Sequence, residues 1–156
     1  MVPAEYLVPF LTSNVIAMGL LLLALRWPRL ARALFVFVFL AASLFNSYTA
    51  FTEPEVYLNY ASMAVLAIYR DFINGAFAAH TQLFVLAIAA GQLCVSALLT
   101  RSGSLFRLGV IGGFVFFVSI APLGFGSAFP STLLLAIALL VLHYNLRQQV
   151  TTPQNS

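Results

Sequence analysis

Lysine is missing from this sequence altogether, and only four carboxylates occur in 156 residues. Charged side chains make up 7% of the chain, against about 25% in soluble domains, so a water-exposed rind around a core is excluded. Cysteine is almost as scarce. Cys94 stands alone in an apolar run, which rules out an intramolecular disulfide and a cysteine-based metal cluster. The seven basic residues are all arginine and are scattered, so no run tracks a nucleic-acid backbone and no nucleic-acid partner is expected. What fills the chain instead is hydrocarbon: 62% hydrophobic residues and a mean hydropathy of +1.01. A single all-α bundle buried in lipid is the expected fold class. Glu5 precedes the first apolar stretch and no basic residue does, opposite to a cleavable signal, so that stretch reads as a retained helix.

A membrane-crossing helix needs about 20 apolar residues, so the uncharged intervals between charges measure the crossings. Tyr6 to Leu25 and Ala33 to Thr52 hold 20 residues each, one crossing apiece. Val56 to Tyr69 holds only 14, with Tyr57, Asn59, Tyr60 and Ser62 among them, and predicts an interfacial or re-entrant helix over about 55–71. Phe72 to Thr100 holds 29, a long crossing expected to start near Ala76 after Asn74-Gly75. Leu108 to Leu146 holds 39, divided by the Pro122 to Pro130 stretch with its two glycines. Five spans follow, near residues 6–26, 32–51, 76–100, 106–122 and 130–147, with 148–156 a polar tail.

Arginine enrichment marks cytoplasmic loops. With five crossings, Arg26, Arg29, Arg32, Arg101, Arg107 and Arg147 fall on one side, and Glu5, Glu53, Glu55 and Asp71 on the other with Arg70. The N-terminus is therefore expected outside and the C-terminus inside, in a prokaryotic cytoplasmic membrane. Tyr6, Tyr48, Tyr57, Tyr60 and Tyr69 fall toward the outer ends, and Trp27 and Tyr144 toward the inner ones, as interfacial belts do.

Polar groups at membrane depth are costly unless satisfied, so they are the first candidates for function. Asn14 and Asn46 lie about 18 to 21 Å from the arginine anchors and Gln92 about 13 Å, near the middle. Ser43, Asn46, Ser47 and Ala50 share helical spacing and predict a small, polar stripe facing the bundle, opposite Phe35, Phe37 and Phe39. Interhelical hydrogen bonding is the commoner use of such groups, and ligand contact the other. His80 with Thr81 and Gln82 lies near the outer end of the third crossing, where Tyr48 and the 55–71 helix could cover a headgroup of quinone or lipid. Arg70-Asp71 is either a solvated pair or a contact for an anionic headgroup. His80 and His143 are a membrane thickness of about 30 Å apart, too far to share a haem, and no metal site is expected. Ala87 with Gly91, and Gly109, Gly112 and Gly113, permit close helix approach within the chain or with a partner.

From about residue 30 to 147 the layout resembles the DoxX-like family of small four-helix membrane proteins. The carrying residues are Ala33-Leu-Phe-Val-Phe after Arg32, the loop Glu53-Pro-Glu55, Gln92-Leu-Cys-Val-Ser-Ala-Leu-Leu99, Arg107-Leu-Gly109 and the entry Phe129-Pro130. The resemblance implies association with quinol oxidation or another redox complex, with the helix over Tyr6 to Leu25 an N-terminal addition. The leading expectation is an accessory membrane subunit without catalysis of its own, in contact with lipid, with other membrane subunits or with itself, binding quinone or lipid at the outer cluster. Two alternatives are a small transporter of uncharged solutes using the polar stripe, and a lipid-acting enzyme with His80, Tyr48 and Asp71 as acid-base groups.

Overall fold

Each long uncharged interval becomes a helix, because only a helix satisfies every backbone group of an apolar segment from within. The computed structural model describes residues 4–127 and 129–151. Five helices of 18 residues or more carry it: α1 (Ala4–Arg26), α2 (Pro28–Thr52), α5 (Thr81–Leu99), α6 (Gly103–Ile120) and α7 (Ser131–Thr151). Between α2 and α5 lie two short helices, α3 (Tyr60–Met63) and α4 (Ala67–Phe72). No strand occurs among the described residues. Four helical stretches, Leu7–Arg26, Pro28–Thr52, Thr81–Leu99 and Gly103–Ser127, are long and apolar enough to cross a membrane. In α7 the last turns carry His143, Asn145, Arg147, Gln148 and Gln149, which dilute an otherwise apolar helix.

Trp27 alone separates α1 from α2, with Pro28 at the first helical position, where its missing N–H costs nothing. α2 packs along α5, α1 along α7, and α6 lies between α5 and α7, closing a ring of five. The main core sits toward the arginine-bearing end. Phe35 and Phe39 of α2 are fully buried there, with Phe39 5.2 Å from Phe117 of α6 between ring centroids, against Leu139 and Leu142 of α7. The polar stripe does face the bundle at Ser43 and Ala50, but the expected opposition to the Phe positions fails. Phe35, Phe39, Ser43, Asn46 and Ala50 follow one another at helical spacing and share one face, and of the three expected Phe positions Phe37 alone points outward, at 66% exposure. One face of α2 thus changes from aromatic to polar along its length.

α6 approaches its neighbours closely through its glycines. A Cβ on Gly109 would stand 2.9 Å from the Leu99 backbone nitrogen, and one on Gly113 would meet the Leu139 and Phe39 side chains. These glycines serve contacts within the chain.

The interfacial helix expected over 55–71 is broken. A 3₁₀ turn over Pro54–Asn59 leads into α3, then Ala64 to Leu66 runs extended before α4. The break is held from outside: the Val65 N–H donates to the Pro122 carbonyl (2.9 Å) and the Tyr69 hydroxyl to the Ser119 carbonyl (2.7 Å). Gly124, at φ +66°, passes against the Met63 carbonyl, and Gly126 lies under the Tyr60 ring. Residues 119–126 and the 54–72 segment therefore form one layer across the acidic end. A π turn over Ile73–Phe77 follows α4, and His80 takes a non-helical conformation (φ −143°, ψ 37°) before α5. The third long helix thus begins at Thr81, not near Ala76, because burial of Ile73 and Phe77 holds the preceding turn against the core. At the other terminus α7 continues past the expected boundary at 147 to Thr151, and the rest of the expected tail, 152–156, lies outside the described residues. The Asn145 amide anchors this last stretch by donating to the Ala24 carbonyl of α1 (3.0 Å).

Candidate functional site

A side-chain polar network joins α2 to α5. The Asn46 Nδ2 donates to Gln92 Oε1 (2.8 Å), and its Oδ1 accepts from the Tyr57 hydroxyl (2.5 Å). One turn toward the arginine end, the Ser43 hydroxyl donates to the Ala89 carbonyl (2.7 Å), and farther along Ser96 donates to the Val36 carbonyl (2.8 Å). Gln92, Ser43 and Ser96 are each 4% exposed, so these bonds form away from water. The amide of Asn46 is thereby engaged on both its donor and its acceptor side.

Tyr57 reaches Asn46 because Pro54 starts a turn after α2 ends and folds the chain back against the helix it has just left. Burial pushes the Tyr57 phenol above its ordinary value, with a smaller opposing effect from a hydrogen bond with Thr49. Through neutral pH it is therefore a donor. Tyr57 read from the sequence as an interfacial aromatic and was not among the candidate ligands. A Pro two residues past the helix end, followed three residues later by a tyrosine, is the signal that would have found it.

The other candidates are not gathered with Asn46 and Gln92. The Asn14 amide turns back on its own helix and donates to the Phe10 carbonyl (2.8 Å), as Ser13 does to Pro9. Tyr48 is 69% exposed on the outer face of α2. His80 and Gln82 are exposed at the start of α5, where the His80 N–H donates to Phe77 and its carbonyl accepts from Phe84. Arg70 and Asp71 are exposed in α4, and as consecutive helical residues they point about 100° apart. A lidded pocket around His80 is thus not assembled by these side chains. Phe72, from the layer over the acidic end, instead packs on Phe77 and Phe84, with the three ring centroids 5.3 to 6.0 Å apart.

A second set of long-range contacts binds the arginine end. Arg32 Nε donates to the Leu99 carbonyl (2.6 Å), one terminal nitrogen donates to the Arg101 carbonyl, and its guanidinium lies 4.7 Å from the Phe106 ring centroid. It caps the last carbonyls of α5, where the helix dipole favours a cation, and the aromatic face adds to that attraction. From the sequence Arg32 was legible only as a topological anchor.

One face of α5 finds no counterpart among the described residues. Ala87, Ala90, Gly91, Cys94 and Ala97 are exposed, and a Cβ on Gly91 would meet nothing within 4 Å. No family model matches this chain, and neither does any curated protein or solved structure.

Proposed function

We propose that this chain is a small accessory subunit of a membrane complex, redox or other, crossing the bilayer five times with its N-terminus outside and its C-terminus cytoplasmic. The observation that carries the reading is the open small-residue face of α5. In hydrocarbon, helices associate where small side chains let backbones approach. The glycines of α6 meet that need within the chain, whereas Ala87, Gly91 and Cys94 leave a shallow groove facing outward. A helix of a neighbouring subunit, or α5 of a second copy, fits it.

The mutual bonding of Asn46, Gln92 and Tyr57 supports a structural rather than a transporting role, since the stripe a solute would follow is packed between α2 and α5. Orientation rests on the arginines that flank α1, α2, α5, α6 and α7 at a common end. Trp27 and Tyr144, at 63% and 62% exposure, mark that end and Tyr48 the other, as interfacial belts would. The DoxX-like resemblance belongs to this proposal, with α1 the added helix laid along α7. Lipid or quinone contact at the acidic end falls to the exposed Tyr48, His80, Gln82, Arg70 and Asp71.

Gentle detergent extraction followed by mass spectrometry of the intact particle tests the reading. The wild type is expected to leave the membrane with a partner protein or a second copy, and Gly91→Leu to leave alone while keeping its helicity. A wild-type particle that is a lone monomer under the mildest extraction overturns it.

A further inference from the structure

The arginine end holds a feature that the subunit reading does not use. A cleft of about 650 Å³ opens between the start of α2, the α5–α6 turn and the end of α7. Its walls carry Arg29, Arg32, Arg107 and Arg147, together with His143. No carboxylate lines it among the described residues, and Glu53, Glu55 and Asp71 belong to the opposite end. Like charges around one cavity repel one another, and an anion between Arg29, Arg32 and Arg107 turns that repulsion into attraction.

Three further observations favour an anion with several oxygens. α6 begins at Gly103, and its N-cap Ser102 makes no side-chain cap bond, so the positive end of an 18-residue helix is uncapped where Ser102, Gly103 and Ser104 line the cleft. His143 lines the same cleft, and an imidazole can donate to or accept from a group bound there. Arg32 is held rigid by the Leu99 and Arg101 carbonyls and the Phe106 ring, so its charge is fixed at the wall before any ligand arrives. Phe106 and Leu146 supply apolar surface beside these groups.

The geometry points to a binding site for a phosphate group in this cleft, the phosphodiester of an anionic phospholipid being the form that suits both the cationic walls and the apolar floor. Arginine recognises phosphate through paired N–H groups, and basic pockets between membrane helices hold acidic headgroups by the same chemistry. The site is separate from the α5 groove and from the acidic end, and it stands whether or not the chain has a partner subunit.

The test uses the full-length protein in mild detergent, titrated with phosphatidylglycerol, with phosphatidylcholine or with inorganic phosphate, and weighed as the intact particle. Phosphatidylglycerol is expected to be retained and phosphatidylcholine not. At about fivefold per arginine lost near an anionic group, R107Q weakens retention about fivefold and R29Q/R107Q about thirty-fold. R101Q removes a charge at the same end but outside the cleft, and is expected to change it less than about twofold. Retention of inorganic phosphate that R107Q weakens while neither lipid is held supports the phosphate site with a soluble ligand in place of a lipid. Equal effects of R101Q and R107Q overturn the site, since they mean diffuse attraction to the whole end. So does equal retention of the two lipids without phosphate binding.

Discussion

Replacing Asn46 by Leu breaks two bonds at once, the one to Gln92 and the one from Tyr57. Interhelical hydrogen bonds in bilayers average about 0.6 kcal/mol and reach about 1.7. The substitution is therefore expected to cost about 1 to 3 kcal/mol, with the upper part reflecting a buried Gln92 carbonyl left in hydrocarbon. Tyr57→Phe removes one donor and costs about 0.6 to 1.7 kcal/mol. Gln92→Leu costs a similar amount, because it strands the Asn46 amide. The informative variant is the triple, N46L/Q92L/Y57F, in which none of these three side chains is left without the other two and the volumes are nearly kept. It is expected to lie within about 1 kcal/mol of the wild type, far less than the sum of the singles, because removing every partner of a buried network costs little. Titration of mixed micelles with dodecyl sulfate, read by circular dichroism, measures each stability. Singles that add to the triple without coupling would refute the network, and with it the claim that Tyr57 folds back onto α2.

The glycines offer a contrast on the two faces of the bundle. Gly109→Ala drives a Cβ against the Leu99 backbone and is expected to destabilise by about 1 to 3 kcal/mol in the same titration, whereas Gly91→Ala meets nothing and should be neutral or stabilising by about 0.5 to 1 kcal/mol. Arg32→Ala uncaps the end of α5 and is expected to cost about 1.5 to 3 kcal/mol, with Arg32→Lys recovering only part, since a point charge cannot bond two carbonyls in the fixed fork of a guanidinium. In a Cys94→Ala background, a cysteine at Ser102 should react with impermeant reagent only from the cytoplasmic side and one at Glu55 only from outside. The reverse pattern would invert the proposed topology.

How much of this was legible beforehand follows from what each feature depends on. Helix existence is local: a run of about 20 residues without charge has no other way to satisfy its backbone in hydrocarbon, so the five long helices and the polarity of their ends could be read from the spacing of eleven charged residues. That Ser43 and Ala50 face inward was local too, being a matter of helical period. The face taken by Phe35 and Phe39 was not, because in lipid an aromatic side chain is as stable outside as inside. Only the space that Gly113 leaves for the Phe39 ring beside Leu139, with Phe117 against it, decides it. The break at Ala64 to Leu66 depends on the Pro122 carbonyl and the Ser119 carbonyl, some 50 residues on, as the capping of α5 by Arg32 depends on a residue 67 positions away. The bonding of Asn46 to Tyr57 and Gln92, and the gathering of four arginines around one cleft, likewise arise where separate helices meet. Charge and hydropathy along the chain determined where the long apolar helices lie and which of their ends are basic. Contacts between distant segments decided which polar groups satisfy one another and which are left facing a ligand or a partner.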